Sequence, residues 1–471
     1  MTKQGMQLSF HGANRQVTGS CYLLEHDDRR VLIDCGLFQE RKFQSRNWQP
    51  FDFDPADVDV MLLTHGQQDH CGLIPKLVRD GFRGRILTTQ PSVALADIVM
   101  RDSARIQEED ARYKKKRHRR EKRKSRYGYE PLYTEDDARR AANRLSPVAF
   151  NACHRLGGGM SACFHDAGHV LGSASLTIDV ETKAGRKTIL LSGDVGQHDK
   201  PLIPDPTFIE RADYVVLEST YGDRNHREEG DIPEQLARHI NAAAERGGNV
   251  VIPTFAIERA QELLFHLAAL IYDKRIPRVP VFLDSPMAIN VTELFERYPD
   301  FLDEHTRTLL RSGEHPLDFP GLYLSRGQDQ SKSINAVRGT AVILAGSGMC
   351  TGGRIKHHLV HNISRSASTV LFVGYQSPDT LGGLIVRGKN PVRIHGKERE
   401  VKADIAQLYG LSAHADREGL FDYLDAVKPK PKRLFLTHGE EKVALRFAEE
   451  IRATRQIQAS VPEFGERVTL D

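Results

Sequence analysis

Short apolar runs alternate with Gly-, Asp- and His-rich turns in the first half of the chain and again near its C-terminus. The runs with the length of buried strands are residues 31–33, 60–63, 188–191, 214–217 and 433–436. Each is followed within three residues by a carboxylate or a histidine, in chain order Asp34, His65, Asp194, Glu218 and His438. One Asp after a strand is usually a turn former, but five such endings indicate a site assembled on one edge of a sheet system.

A different alternation occupies the middle of the chain. Residues 232–245 and 257–269 have helical periodicity, whereas residues 248–252, 279–283 and 340–344 are predicted strands. Helix–strand alternation favours a parallel sheet. Because no Pro- or Ser-rich linker bounds this part, we predict a domain inserted between two strand ends.

The composition is that of a globular protein. At roughly 100–200 residues per domain, 471 residues predict two to four domains, and 39% hydrophobic residues provide sizeable cores. No apolar run approaches the ~18 residues of a membrane helix, and the N-terminus lacks the apolar core of a secretory signal. No CxxC pair occurs among the six cysteines, which are Cys21, Cys35, Cys71, Cys153, Cys163 and Cys350. We therefore predict a cytoplasmic protein with reduced thiols and no membrane association.

One segment concentrates positive charge. Residues 112–126 contain eleven Lys or Arg and one acid, Glu121, for a net charge of +10, against +3 for the whole chain. Two interpretations carry similar weight: an electrostatic contact for a polyanion such as a nucleic acid, or a solvated charged segment. Because Tyr113 is its one aromatic residue, the segment does not by itself imply base stacking.

The segment Thr64-His65-Gly66-Gln67-Gln68-Asp69-His70 indicates a metal site. His65, Asp69 and His70 lie between a predicted strand and a predicted helix at residues 73–78. Imidazole nitrogens and carboxylate oxygens are ligands that zinc accepts, at roughly 2.0–2.2 Å. Three such residues within six positions are harder to attribute to a polar turn than one would be.

Further candidate ligands come from distant segments, namely His169, Asp194 and His438. A carboxylate such as Asp194 can bridge two metal ions about 3.5–4 Å apart, so that a shared hydroxide attacks a phosphate in line.

These residues together resemble a known family. Asp34, the segment 65–70, His169 and Asp194 are similar to the first four motifs of the metallo-β-lactamase superfamily. Three further motifs resemble those of its β-CASP branch, which comprises nucleases that process RNA or DNA: Glu218 in Leu-Glu-Ser-Thr-Tyr-Gly, His414 in Leu-Ser-Ala-His-Ala-Asp, and His438 in Leu-Thr-His-Gly. The resemblance covers nearly the whole chain, and it is greatest to RNA-degrading prokaryotic members and to cleavage subunits of RNA 3′-end processing complexes.

The resemblance implies a fold and a site. The fold is an α/β metallo-β-lactamase αββα sandwich from residues 1–212 and 395–471, with a β-CASP α/β domain at 213–394 inserted into it and closing over the cleft. The implied ligands of the first zinc are His65, His169 and Asp194. Those of the second zinc are Asp69, His70, Asp194 and His438.

The resemblance also assigns roles around these ligands. Asp34 orients ligand imidazoles, and the implied catalytic residues are Asp69, Glu218 and His414. A carboxylate partner favours imidazolium, so His414 paired with Glu218 suits protonation of the leaving 3′ oxygen. RNA-directed members carry His at this motif, so His414 favours RNA over DNA.

One position departs from the family pattern His-x-His-x-Asp-His, because Gln67 replaces the second His. A neutral amide oxygen is a poor zinc ligand beside imidazole. Three explanations remain open: a natural variant with an altered first metal site, a lineage losing activity, or a substitution that disables catalysis. We expect weakened metal binding at the first site and weak hydrolysis.

A glycine-rich loop at residues 345–354 follows a predicted strand but does not match a Rossmann or P-loop motif. The family resemblance favours phosphate binding over an ordinary turn, through Ser347, Gly348, Met349 and Arg354.

The expected function is zinc-dependent hydrolysis of single-stranded RNA threaded between the domains. The alternatives are an RNA-binding protein with a disabled nuclease site, motivated by Gln67, and a small-molecule hydrolase of the same superfamily. Similar bacterial proteins often dimerise, so a homodimer is compatible with the resemblance.

Overall fold

The structure is a computed structural model that describes residues 5–122, 128–226 and 230–471. Its described residues divide into two compact units. The first contains the described residues of Met1–Asp199 together with Asp205–Asn225 and His414–Asp471. The second contains Lys200–Pro204 and the described residues of His226–Ala413.

The N-terminal part of the first unit contains most of its strands. They are β1 (Met6–Gly12), β2 (Cys21–His26), β3 (Arg29–Ile33), β4 (Val60–Leu62), β5 (Arg85–Thr89), β6 (Leu145–Val148), β7 (Cys153–Gly157), β8 (Met160–Asp166), β9 (Ala174–Thr182), β10 (Gly185–Leu191) and β11 (Tyr214–Glu218). The helices of this part are α1 (Gln68–Cys71), α2 (Ile74–Arg79), α3 (Gln90–Glu121) and α4 (Glu135–Ala142), with 3-10 turns at Gln44–Trp48 and Pro55–Asp57.

The second unit alternates helices and strands. Its helices are α5 (Ile232–Glu245), α6 (Arg259–Tyr272), α7 (Pro286–Arg297), α8 (Glu304–Ser312), α9 (Gln328–Ile334), α10 (Ile355–Asn362) and α11 (Leu381–Val386), with a 3-10 turn at Pro299–Phe301. Its strands are β12 (Val250–Pro253), β13 (Val281–Leu283), β14 (Leu322–Leu324), β15 (Val342–Ala345), β16 (Thr369–Phe372), β17 (Val392–Ile394), β18 (Lys397–Arg399) and β19 (Asp404–Gln407).

The chain then returns to the first unit. The elements there are α12 (Arg417–Asp425), β20 (Arg433–Thr437), α13 (Glu441–Arg455), β21 (Ala459–Ser460) and β22 (Arg467–Leu470).

Two facing sheets form the centre of the first unit. One has the strand order β22-β1-β2-β3-β4-β5-β6 and the other β21-β20-β11-β10-β9-β8-β7. Their inner faces share one apolar core, in which the Phe10 and Phe435 rings of opposite sheets lie 5.2 Å apart. Side chains alternate along a strand, so Leu434 and Leu436 point away from this core and pack with α12 and α13. On the first sheet, α3 contacts β5 and β6 and also contacts α4, which gives the expected αββα layering.

The second unit has its own sheet, of order β14-β13-β15-β12-β16-β19, with parallel pairing throughout. Its apolar core joins this sheet to α10, α11 and the β17–β18 hairpin, through residues such as Ile343, Val370 and Leu359. The parallel sheet that we predicted from the helix–strand alternation is therefore confirmed. The helix predicted at residues 232–245 has these bounds as α5.

The division between the units differs from the predicted boundaries at residues 212 and 394. Strand β11 pairs in parallel with β10 and β20, so it belongs to the first unit. Strand β19 pairs with β16 and therefore belongs to the second unit. Apolar runs identify strands but not their pairing partners, so the sequence could not place these strands in one unit or the other, and the domain boundaries stay predictions.

The prediction that all six cysteines are reduced is wrong for one pair. Cys153 and Cys163 form a disulfide, because the antiparallel pairing of β7 and β8 places them opposite each other with Cα atoms 4.2 Å apart. The other cysteines are buried free thiols: Cys21, Cys35, Cys71 and Cys350. In the part of the chain that the structure describes, no helix is both long and apolar enough to cross a bilayer.

Candidate metal centre

The candidate site lies where parallel strands of both sheets in the first unit end. Strands β3 and β4 run parallel in one sheet, and β10, β11 and β20 run parallel in the other. Parallel strands present their carboxyl ends at one edge, so the polar residues that follow them converge. The converging residues are Asp34, His65, Asp194, Glu218 and His438, joined by Asp69 and His70 of α1 and by His169 after β8.

Two of these residues have an unusual backbone conformation. Asp34 has φ of 57° and His438 has φ of 49°, in the left-handed region that L-residues rarely adopt. Each is held by a backbone hydrogen bond: Asp34 N donates to Leu62 O (3.0 Å), and His438 N donates to Ala13 O (2.8 Å). The conformation costs about 1–2 kcal/mol per residue, and such outliers cluster at functional sites.

The first cluster contains His65, His169 and Asp194, all buried. The Asp194 Oδ2 atom lies 3.6 Å from His65 Nε2 and 3.5 Å from His169 Nε2. One nitrogen or oxygen atom from each residue lies within 4.8 Å of the others, a spacing that one metal ion can span.

The second cluster contains Asp69, His70 and His438 and shares Asp194 with the first. The Asp194 Oδ1 atom lies 3.3 Å from His70 Nε2 and 3.6 Å from His438 Nε2. The Asp69 Oδ2 atom lies 3.6 Å from the same nitrogen of His438. Asp194 thus presents one carboxylate oxygen to each cluster.

Several polar atoms at the centre have no hydrogen bond. Both carboxylate oxygens of Asp194 and the Nε2 atom of His438 are buried without a hydrogen-bond partner among the described residues. Burying such atoms unpaired is costly, so a set of imidazole and carboxylate groups around unpaired atoms fits a divalent cation. Imidazole and carboxylate donors together are a zinc-type ligand set.

The charge states of the shared residues follow from their surroundings. Burial and the neighbouring His70 lower the pKa of His65 to about 3, so its imidazole is neutral. Burial opposes ionisation of Asp194, but His438 and His70 hold the pKa of its carboxyl well below the usual range. Burial also opposes charge on His70, yet Asp194 and Asp34 raise its pKa well above the ordinary value.

Ligand orientation is controlled by polar neighbours. Asp34 Oδ2 accepts a hydrogen bond from His70 Nδ1 (2.8 Å). The Asp34 carboxylate also accepts from the Thr64 amide and hydroxyl, both at 2.8 Å. On the other sheet, Thr220 Oγ1 lies 3.1 Å from His438 Nδ1. Such contacts set which nitrogen of each imidazole faces the cluster.

Gln67 faces the first cluster directly. Its Oε1 atom lies 3.0 Å from His65 Nε2 and 3.1 Å from His169 Nε2. The amide oxygen therefore contacts the two imidazoles that the family resemblance implies as ligands of the first metal.

A hydrogen-bonded pair, the buried Glu218 and the partly exposed His414, lies beside the clusters. His414 Nδ1 is 3.0 Å from Glu218 Oε1, and the Glu218 carboxylate also accepts hydrogen bonds from the amides of Val195 (3.0 Å) and Thr220 (3.1 Å). Burial by itself would lower the pKa of His414, but the charge and hydrogen bond of Glu218 raise it to about 9. The imidazole is therefore protonated at neutral pH, and its ring lies 4.5 Å from that of His169.

Comparison with known proteins identifies the family. The chain matches the metallo-beta-lactamase superfamily over residues 14–82, the Beta-Casp domain over 260–385 and the Zn-dependent metallo-hydrolase RNA specificity domain over 398–462. It is 38% identical to "Ribonuclease TTHA0252" of Thermus thermophilus, over 98% of this chain and 100% of that protein. The chain belongs to the β-CASP branch of the metallo-β-lactamase superfamily.

Other relatives agree with this membership. The "Transcription termination factor FttA" of Methanocaldococcus jannaschii is 30% identical over 97% of this chain and 70% of that protein. An "RNase J-like protein" of the same organism is 27% identical over 97% and 98%. A crystal structure of a protein of unknown function from Enterococcus faecalis matches with a TM-score of 0.56 at 14% identity, covering 99% of this chain and 100% of that one, which shows a shared fold. The predicted fold class, a metallo-β-lactamase domain with a β-CASP insertion, is confirmed.

The glycine-rich loop lies in the second unit, which contains the β-CASP match. The Ser347 hydroxyl accepts hydrogen bonds from the amides of Thr351 (3.0 Å) and Gly352 (3.3 Å), so it closes the loop on itself. Gly348 approaches the Phe255 ring so closely that a Cβ atom would lie 2.8 Å from it, and Met349 O accepts from Gly382 N.

Arg354 donates hydrogen bonds to groups of its own unit. Its Nη1 atom donates to Asp284 Oδ1 and to Ser325 O, both at 2.7 Å. The other Asp284 oxygen contacts His358 Nε2 and the Ser331 hydroxyl, each at 2.6 Å. These contacts hold Arg354 at the end of the glycine-rich loop, and its phosphate contact stays a prediction.

Sequence reasoning missed Thr64, Thr220 and Ser192, which support the candidate metal site, and Asp284, which supports the glycine-rich loop of the second unit. Ser192 Oγ accepts a hydrogen bond from Glu218 N (3.0 Å). The first three adjoin a strand end that carries a site residue, and this adjacency was the available signal.

Proposed function

We propose that this protein is a zinc-dependent ribonuclease that hydrolyses phosphodiester bonds of single-stranded RNA, with its first metal site weakened by Gln67. The observation that carries the proposal is the pair of clusters sharing Asp194, next to the His414–Glu218 pair. RNA as the substrate class is supported by the match to the RNA specificity domain and by the relatives named as ribonucleases.

The residues that would hold two zinc ions follow from the clusters. His65, His169 and Asp194 would bind the first ion. The second ion would be bound by Asp69, His70, Asp194 and His438. When bound, zinc supplies Lewis-acid polarisation of a phosphoryl oxygen and generates a nucleophile from water at neutral pH.

His414 is the proposed general acid. Its Nδ1 atom is engaged by Glu218, so Nε2 is the nitrogen from which the imidazolium would donate its proton to the leaving 3′ oxygen of RNA. A pKa of about 9 keeps that proton in place at neutral pH, and Glu218 offsets the positive charge. Asp69, the carboxylate of α1, would orient the attacking water.

Gln67 would compete with the first metal ion. An amide oxygen that accepts hydrogen bonds from His65 and His169 requires protons on their Nε2 atoms, whereas a metal ion requires those atoms deprotonated. Metal binding would therefore break both contacts and leave Gln67 as a neutral oxygen ligand, which is weaker than imidazole for zinc.

In the second unit, Ser347 and the backbone amides of Gly348 and Met349 are the proposed contacts for RNA phosphates. Successive amides in a glycine-rich turn form a concave anion site. Arg354 would hold the end of this loop through Asp284.

Cleavage of 5′-labelled single-stranded RNA in the presence of zinc tests the proposal. The chain is compared with Gln67→His and with the matched control Gln68→His, because the Gln68 side chain contacts Ser103 (3.0 Å) and not the clusters. We expect Gln67→His to cleave at least about tenfold faster than the unsubstituted chain, and Gln68→His to equal the unsubstituted chain. Equal rates for all three would contradict the weakened first site.

The second candidate function is an RNA-binding protein with a disabled nuclease site. The two hydrogen bonds of Gln67 favour this function, because they occupy the imidazole nitrogens of His65 and His169 that would otherwise bind a metal ion. It would replace the nuclease proposal if neither the chain nor Gln67→His cleaves RNA while both bind it.

A further inference from the structure

The second half of α3 is a cationic surface that lies outside the segments matched by the three family models. The matches cover residues 14–82, 260–385 and 398–462, whereas α3 extends from Gln90 to Glu121. No role for this helix therefore follows from family membership. The remainder of the basic segment, residues 123–126, lies outside the described residues.

Charge is dense along residues 112–122, the last turns of α3 together with its C-cap residue Lys122, and we call this stretch the cationic face. Eight of its eleven residues are Lys or Arg with exposed side chains: Arg112, Lys114, Lys115, Lys116, Arg117, Arg119, Arg120 and Lys122. Among the described residues, the ion pair within it is Arg117 to Glu121, at 3.7 Å and exposed to solvent. Exposed pairs contribute little, so the stretch retains a strong positive potential.

The helix also presents an aromatic ring among these cations. His118 is buried and its ring lies 5.8 Å from that of Tyr129, which defines the inner side of the helix. Tyr113 is 67% exposed. Residues three, four and seven positions later share its face of a helix, and here they are Lys116, Arg117 and Arg120.

Within the first unit, α3 connects the cationic face to the segment 65–70, which carries candidate metal ligands. Gln68 Nε2 donates to Ser103 Oγ (3.0 Å), and a Cβ atom on Gly66 would lie 2.8 Å from Ala96 N. The N-terminal half of α3 therefore contacts the segment of Gly66 and α1 that carries Asp69. At 1.5 Å per residue, Lys114 lies about 16 Å along the helix axis from Ser103.

We propose that the cationic face of α3 binds the phosphate backbone of the single-stranded RNA, with Tyr113 stacking on one base. This inference rests on the proposed function, because it assigns the surface to the RNA that is cleaved at the metal centre. Binding of single strands combines cations that follow the backbone with aromatic rings that stack on bases, and the face supplies both. An acidic protein would match the charge but would not require the exposed ring.

The test is binding of a fluorescent, nuclease-resistant 2′-O-methyl RNA of about 20 nucleotides to the full chain with zinc, between about 50 and 200 mM salt. The charge variant is Arg112→Gln/Lys116→Gln/Arg120→Gln. Its control removes the same charge from exposed positions elsewhere in the first unit, as Lys183→Gln/Lys442→Gln/Arg446→Gln. A third variant, Tyr113→Ser, removes the ring alone.

We expect the charge variant to bind at least about tenfold more weakly at the lowest salt. The slope of log affinity against log salt should become shallower by about 2, at about 0.7 per lost phosphate contact. The control should match the unsubstituted chain. Tyr113→Ser should weaken binding about fivefold or more with an unchanged slope, because stacking does not release counterions.

Three results would decide against the proposal or separate it from the proposed function. An unchanged slope in the charge variant would overturn it. A reduced slope with no effect of Tyr113→Ser would also overturn it, in favour of a general polyanion surface. If the cationic face binds RNA as expected while neither the chain nor Gln67→His cleaves RNA, this inference stands and the nuclease proposal fails.

Discussion

The two candidate metal-binding clusters share Asp194 but differ in what faces their imidazoles. In the first, the neutral amide oxygen of Gln67 lies 3.0 and 3.1 Å from His65 and His169. In the second, the carboxylate of Asp69 lies 3.6 Å from His438. A charged carboxylate binds a metal cation more strongly than a neutral amide oxygen does. We therefore expect the second site to have the higher affinity for zinc.

The clusters also differ in how their imidazoles are supported. His70 donates to the Asp34 carboxylate, which raises the basicity of the ring and fixes its tautomer. His65 Nδ1 instead lies 3.1 Å from the hydroxyl of Thr64, and no carboxylate faces this nitrogen among the contacts of the described residues. A carboxylate partner strengthens a ligand more than a hydroxyl does, so both differences act in the same direction.

The largest expected effect comes from Asp194→Asn, which removes the charge that both clusters share. We expect loss of both zinc ions and a fall in kcat/KM of about a thousandfold, since metal ions supply several kcal/mol of transition-state stabilisation. Metal analysis of the purified variant, with RNA cleavage, checks this. Retention of either ion at the affinity of the unsubstituted chain would show that the clusters do not depend equally on Asp194.

A smaller and selective effect is expected from Asp34→Asn. The substitution keeps the shape but removes the carboxylate that accepts from His70 and Thr64, so the second site should lose about 10–100-fold in zinc affinity. Titration against a chelator measures the two affinities separately. The matched control is Thr220→Val at His438, where a hydroxyl is lost rather than a charge, and a smaller loss is expected. Equal weakening of both sites by Asp34→Asn would contradict the selective role.

The smallest effect is expected from Glu218→Gln, which touches neither cluster's predicted ligands. Glu218 raises the pKa of His414 to about 9, so its removal should lower that pKa towards about 6.5. The acid acts when protonated, and activity is lost as pH rises through its pKa. The alkaline limb of the pH–rate profile should therefore move to lower pH, with cleavage about tenfold slower near pH 7.5.

Zinc content provides the control for Glu218→Gln, because both ions should be retained. An alkaline limb that does not move would remove Glu218 from the proposed proton transfer.

Local sequence patterns predicted the strands of the site well. The apolar runs ending before Asp34, Asp194 and His438 became β3, β10 and β20, because hydrophobic runs of this length identify buried strands whatever their partners. The predicted helix at 73–78 became α2, Ile74–Arg79, preceded by the short α1. The roles of individual residues as ligands remain predictions that the experiments above address.

Non-local pairing decided what these patterns could not. Cys153 and Cys163 meet because β7 and β8 pair in one antiparallel register, which a ten-residue spacing does not specify. Arg354 contacts Asp284, which lies 70 residues away along the chain, and no local pattern specifies that contact.

The sequence by itself determined the element types, the order of the motifs and the presence of an amide at position 67, because these depend on residue identity and local periodicity. The tertiary structure alone decided that the Gln67 oxygen contacts both His65 and His169, since His169 is 102 residues away. It also decided the left-handed backbone of Asp34 and His438, which is held by hydrogen bonds to other segments. Contacts between distant segments depend on how the sheets pair and pack, and that information is carried by no single stretch of the chain.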